Sequence, residues 1–437
     1  MKNAILSFLL SLFFVLPLSA QDDPKSFSNW LKEKDDFRIE PYFMIQLWST
    51  YTTNYSVYNE DSGQYDPVAD RGNIMIRRGR FGVRGEPVDG LKFNLQAAYD
   101  LIGRDLFAGL TGGTNNASIP NFGIWDAFLQ WRIRQNSEAF YLAGGYFRPQ
   151  LGRESITSGW SVNSMEKSMS QFYLRRHLTG TGPGRAVGLN FGGLAKVREQ
   201  LQLDYNLGVF TPQYISFSGN SLGGVFSPLY VGRVVVNIGE PEMTNYKIAY
   251  DINYYSDRRG LSVGLGGSWQ NETDLFLSSS ASSVDWLFNW DNFNFDGEWS
   301  VMWRDGRRAA GENGEIRTFT YRSQTGHLRA GYNLIINRRY FLEPTFMFMY
   351  FNGASDAVEQ ADALSVGAFS GRDHTFDAGI NWYLNKKRLK VMLHYTWRRG
   401  DPGDAGDGAT VNLYYFQSGV GAVQRGNWLG LGLNAIF

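Results

Sequence analysis

The chain has 437 residues, no cysteine, and 42 basic against 42 acidic residues, a formal net charge of zero. The missing thiols exclude disulfide staples and cysteine-ligated metals, and an exported chain with balanced charge has no nucleic-acid partner. Aromatic residues make up 16% and glycine numbers 50, yet mean hydropathy is slightly polar at −0.31, a mixture expected of strands with one apolar and one wet face.

The first twenty residues, MKNAILSFLLSLFFVLPLSA, combine Lys2, an apolar run from Ile5 to Leu16 and a small-residue exit at Leu18-Ser19-Ala20. They read as a cleaved secretory signal, too short and wrongly flanked for a spanning helix. Residues 21–36 are polar and read as a periplasmic leader. No later window approaches the roughly 18 uninterrupted apolar residues of a transmembrane helix.

From residue 37 onward the chain alternates. Candidate strands cover 37–52, 73–86, 91–102, 121–133, 139–148, 185–193, 200–211, 230–239, 246–255, 260–272, 284–291, 293–305, 321–336, 340–352, 374–384, 389–399 and 427–437. The last is representative: Leu429, Leu431, Leu433, Ala435 and Phe437 share one parity, and Trp428, Gly430, Gly432 and Asn434 the other. An apolar face ending in a C-terminal aromatic suits the closing strand of an outer-membrane β-barrel. Seventeen candidates conflict with the even strand number of single-chain bacterial barrels. Short and long connections alternate except around 239–260, so removing 246–255 restores the rhythm. That segment becomes a strand extension or hairpin at the periplasmic end. The expectation is an all-β, transmembrane, antiparallel barrel of sixteen strands over residues 37–437, closed by pairing of the first strand with the last and leaving an aqueous lumen. The serine run Ser278–Ser283 reads as loop.

Arginine dominates the basic residues: 11 are lysine and 31 arginine. With Phe81 and Val83 facing lipid, parity turns Arg78, Arg80 and Arg84 into the lumen, and the same reasoning places Lys92, Arg132, Arg304, Arg329, Lys390 and Arg398 there. Arg233 follows less directly. Arg148, Arg153, Lys167, Arg175 and Arg176 fall at or within the long connection 149–184. Arginine's flat, permanently charged fork pairs with oxyanions, and rings of Arg or Lys make anion-selective pores. Glu86, Asp100, Asp126, Asp204, Asp296, Glu298 and Asp377 project inward too, so arginine–carboxylate arrays bracing the wall compete with an anion path.

Four segments carry a resemblance. Arg77-Arg78-Gly79-Arg80, Asp126-Ala127-Phe128-Leu129, Gly145-Tyr146-Phe147-Arg148-Pro149 and Met165-Glu166-Lys167-Ser168 stand in the order of the RRAR-like, DAYLEY, GQFK-P-F and MERS-like motifs. In this the chain resembles the phosphate-selective porin O and P family. Late segments GHLRAGYNLII (326–336) and GINWYL…LKVMLHY look like that family's last strands. The resemblance implies a homotrimeric sixteen-stranded porin in the outer membrane, with a third loop, here 149–184, folded inward as a constriction. It implies a pore whose basic residues strip phosphate of water, with no cofactor and no catalytic group. This chain departs from the family by placing Arg148 at the GQFK-like position and by its scarcity of lysine.

The function expected is passive diffusion of small hydrophilic solutes, leaning to anions such as phosphate. A saccharide-permeable channel, lined by Tyr146 and Trp160, is the alternative. A barrel hydrolase is a third reading: His177, His327, His374 and His394 coexist with many serines, but no G-x-S-x-G brings a Ser–His pair together and no His/Asp/Glu cluster has metal-ligand spacing.

Overall fold

The structure is a computed structural model, described over residues 38–109, 121–212, 215–216, 219–220, 224–310, 314–336 and 340–437. The expected signal and leader, 1–20 and 21–36, lie outside the described residues.

Sixteen strands form the wall. They are β1 (Arg38–Thr53), β2 (Arg71–Val88), β3 (Leu91–Ile102), β4 (Asn121–Arg132), β5 (Tyr141–Phe147), β6 (Ala186–Arg198), β7 (Leu201–Thr211) and β8 (Leu229–Gly239). The second half comprises β9 (Arg259–Gln270), β10 (Ser278–Trp290), β11 (Phe293–Ala310), β12 (Glu315–Tyr332, continued by Leu334–Ile336), β13 (Tyr340–Asn352), β14 (Arg372–Asn385), β15 (Leu389–Asp401) and β16 (Asn427–Ile436). Each pairs antiparallel with its neighbours in sequence, and β1 pairs with both β2 and β16, so the sheet is closed. Closure removes every edge, which a lipid-spanning sheet requires because hydrocarbon cannot satisfy a free N–H.

Alternation sets the two faces. In β16, Leu429, Leu431 and Leu433 are exposed outward, whereas Asn434 is buried within. Phe437 remains 76% exposed beside Phe43, with ring centroids 6.1 Å apart. The serine run belongs to β10 instead of a loop: Ser279 and Ser283 are buried inside, and Ser283 accepts a hydrogen bond from Ser300. Serine's small, polar side chain suits both faces of a crowded wall, so its usual preference for loops is overridden there. β11 and β12 are 18 residues each and extend well past the expected 305–321 connection.

Residues 246–255 do not span. The connection 240–258 is an irregular segment at the short-turn rim, folded inward, and neither a strand nor a hairpin. Tyr246, Tyr250 and Ile252 are buried. The Tyr246 hydroxyl bonds Asn206 at 2.5 Å, and Asn289 donates to the Ile252 carbonyl at 3.1 Å. Its even spacing of apolar residues reflects side chains pressed against the inner wall, which periodicity cannot tell from a strand.

The connection 149–184 enters the barrel from the opposite rim. It carries a single helical turn, α1 (Arg153–Ile156), and the helix α2 (Ser170–Thr179). Tyr173, Leu174 and Leu178 of α2 pack among Phe147, Phe210, Met349 and Phe351, and Tyr173 stacks on Phe351 at 3.9 Å. The principal apolar core therefore sits inside the lumen, around this loop. Gly152 permits the inward turn: its φ is +75°, and a Cβ there would lie 2.6 Å from Leu174.

Candidate functional site: the lumen

Between them the two inserted segments divide the lumen into a packed side and an open side. On the packed side, Arg153 donates to both Glu242 oxygens at 2.7 and 2.6 Å and to Asp285 at 3.1 Å. Arg233 also takes Asp285, and Arg398 pairs with Asp373 at 2.7 Å. Arg329 reaches Glu154 at 2.9 Å and Asp296 at 2.8 Å, with His327 3.0 Å from Asp296. Glu154, Asp296 and His327 converge closely enough to hold a metal ion, a grouping their sequence spacing conceals. The Arg329 guanidinium already bridges the two carboxylates, satisfying their lone pairs and filling the cationic position. Burial alone would raise the Glu154 pKa, but Arg329 and then His327 hold it down at about 2.

The open side is a cavity of about 440 Å³ beside β2 to β5. Six basic side chains border it, Arg77, Arg78, Arg80, Arg148, Lys167 and Arg175, against two carboxylates, Asp100 and Asp126. Asp100 is taken bidentately by Arg80. Asp126 binds Arg185 at 2.9 Å. Trp125 lies between these two guanidinium groups, 4.1 Å from Arg80 and 3.9 Å from Arg185. Behind the cavity, Glu166 ties the third loop to β2 through Arg78 and through Arg77 at 2.5 Å.

Arg148, Lys167 and Arg175 differ. Among the described residues none has a carboxylate within ion-pair distance. They converge on backbone: Arg148 donates to the Ser155, Ile156 and Thr157 carbonyls, Lys167 to Thr157 at 2.6 Å, and Arg175 to the Ser155 carbonyl. The Arg148 Nε is buried without a partner. Burial, then the neighbouring Arg175 and Arg148, push the Lys167 ammonium pKa well below its ordinary value. Burial and Arg185 lower Arg175 to about 9.

The residues expected along the path thus separate into groups. Arg78, Arg80, Arg148 and Lys167 border the cavity. Arg304, Arg329, Lys390 and Arg398 of the wall, and Arg153 of the third loop itself, are buried inside the barrel and do not border the cavity. Lys390, for example, donates to the Val162 carbonyl at 2.7 Å, and Arg304 to that of Val366 at 2.6 Å. Arg84 and Arg132 stand at the short-turn rim, paired with Glu40 at 3.1 Å and Asp89 at 3.0 Å. Lys92 is half-buried on the face shared with Asn94 and Gln96, outside the cavity lining.

Arg77 lies outside the expected set because parity aims it at lipid. The β1–β2 register shifts between Gln46 and Leu47, a bulge that turns Arg77 and Arg78 both inward. A second shift between Gln96 and Ala97 does the same for Trp125 and Asp126. Two consecutive arginines in a lipid-spanning strand are the available signal, since strict alternation would put one of them in hydrocarbon.

A serine does approach a histidine: Ser279 Oγ lies 3.1 Å from His177 Nε2. The same nitrogen lies 2.8 Å from the Ser280 carbonyl, which can only accept, so Nε2 carries a proton and cannot act as a base toward Ser279. Burial and Arg304 lower the His177 pKa well below normal, keeping the ring neutral.

No match is found among curated proteins. Similar solved structures include OprB of Pseudomonas putida (TM-score 0.54, 9% identity, 94% of this chain and 96% of that one). Others are an anion-selective porin from Comamonas acidovorans (0.52, 13%, 92% and 100%) and Salmonella typhi OmpF (0.51, 11%, 92% and 98%). At such identities they establish the porin-like barrel fold. Residues 51–405 match phosphate-selective porin O and P. With the closed sixteen-stranded barrel and its inserted third loop, that match makes the chain a member of the phosphate-selective porin O and P family, an outer-membrane channel and not an enzyme.

Proposed function

We propose that this porin passes small hydrophilic solutes by passive diffusion with a preference for anions, phosphate among them. The third loop, 149–184, is its constriction. The carrying observation is the group Arg148, Lys167 and Arg175, three cations that border the cavity with carbonyls but no carboxylates beside them. Carbonyl dipoles orient the cations without cancelling their charge, so basic groups outnumber carboxylates around the cavity and an entering anion meets a net positive potential. The family membership and the anion-selective relative point the same way. The zero-current potential of the full chain in a planar bilayer, under a KCl gradient, tests the reading. Anion preference is expected, with a severalfold fall in the Arg148→Ala/Lys167→Met/Arg175→Ala variant; cation preference in the parent protein overturns it.

Tyr146 and Trp160 also border the cavity, which favours a saccharide path as the second reading. Trp160 is only 6% exposed, however, and offers little ring face to a sugar. Saturable block of the chloride current by maltodextrin would favour the sugar reading.

A homotrimer is proposed as well. The outer wall supports it around β8 to β10, where Gly232, Gly267, Ser280 and Ser282 replace the large lipid-facing residues found elsewhere. Chemical cross-linking in native membranes tests this: a ladder ending at three copies is expected, and a lone monomer refutes it.

A further inference from the structure

The cavity is not uniformly polar. Three half-buried apolar side chains from three separate elements border it: Phe128 from β4, Phe172 from α2, and Ile248 from the inserted segment 240–258. Ala249 and the edge of Ile156 add to this lining. One side of each packs against the apolar core that seats the third loop, and the part left facing the cavity forgoes about 25 cal/mol for each Å² of apolar surface kept wet, which an apolar ligand body would recover. They share the cavity with the carboxylate-free cations Arg148, Lys167 and Arg175, and its volume of about 440 Å³ falls within the range of small-molecule sites. A mostly apolar lining with a few convergent charged groups holds a ligand that has both a body and a charged head.

We propose that the cavity is a binding station for organic anions with a compact apolar body, such as an aryl or alkyl carboxylate or phosphate ester. The inference rests on the anion preference above and narrows it. The anionic head takes the guanidinium and ammonium donors of Arg148, Arg175 and Lys167, all of which border the cavity. The body displaces water from Phe128, Phe172 and Ile248. Inorganic phosphate uses only the first half of the site.

The test is conductance of the full-length porin in planar bilayers with potassium benzoate, potassium phosphate or KCl. Benzoate current should saturate at lower concentration than phosphate current. Phe172→Ser and, separately, Ile248→Ser should raise the half-saturating benzoate concentration about tenfold, the effect of losing one good apolar contact, while changing that of phosphate far less. SDS-resistant, heat-modifiable migration of each variant verifies the barrel. An anion-preferring channel whose benzoate current saturates no earlier than phosphate, or whose two variants weaken both ions equally, overturns this inference and leaves the anion preference standing. Cation preference overturns both.

Discussion

The two sides of the lumen contain the same residue types, and both pair arginines with carboxylates, but the open side adds a group held in another way. Against β8 to β15, arginines meet carboxylates: Arg153 with Glu242 and Asp285, Arg329 with Glu154 and Asp296, Arg398 with Asp373. Beside β2 to β5, Arg148, Arg175 and Lys167 meet carbonyls. Ion pairs consume charge to fasten a loop, whereas dipoles fasten a side chain and leave its charge available. An inward-facing arginine is therefore informative about conduction only once its partner is known.

The largest effect is expected where a buried pair is broken. Arg329→Met strands Glu154 and Asp296 without a counter-charge, and truncating one partner of such a pair costs about 3–5 kcal/mol. The urea midpoint of the porin should fall accordingly, and an unchanged midpoint would show the packed side to be dispensable.

Acid probes the same contrast at Glu166. Burial would raise its pKa, but Arg77 and Arg78 together hold it at about 2. A depressed carboxylate stabilises the fold above its unfolded pKa and ceases to do so as pH falls through the folded value. The third loop should accordingly keep its seat on β2 through pH 4, with unchanged single-channel conductance, and loosen only as pH approaches about 2. Loosening near pH 4 would contradict the assignment.

Alkali acts on the open side. Since Lys167 has its pKa lowered, it sheds its proton before an ordinary lysine does as pH rises. Anion preference, measured as reversal potential, should weaken on going from neutral to alkaline pH, and Lys167→Arg should resist that loss. Smallest of all is Arg84→Ala at the rim, where an exposed pair is worth roughly 0–1 kcal/mol; both the urea midpoint and the reversal potential should stay within error.

Most of the barrel could be read from alternation, because lipid on one side and polar groups on the other impose a period of two over every strand. Even the surplus strand at 246–255 was identifiable from connection lengths. The lumen was less legible. Parity reports which side of the sheet a residue occupies, so it turns Arg329, Lys390 and Arg398 inward, yet it is blind to a second layer of chain, beneath which the structure buries them. It fails outright at a bulge, as with Arg77. The buried cluster of Glu154, Asp296 and His327 draws on a loop and two strands far apart in sequence, and only the closed sheet brings them together.

The bridge from Arg329 to Glu154 and Asp296 has a practical consequence. Outer-membrane proteins are commonly prepared in chelators, which strip divalent ions from lipopolysaccharide and from protein sites alike. A loop pinned by a dissociable metal would change shape under that treatment. Here the counter-charge between Glu154 and Asp296 is covalently part of β12, so a chelator has no ion to draw from that pair, and this anchor of the third loop should outlast EDTA.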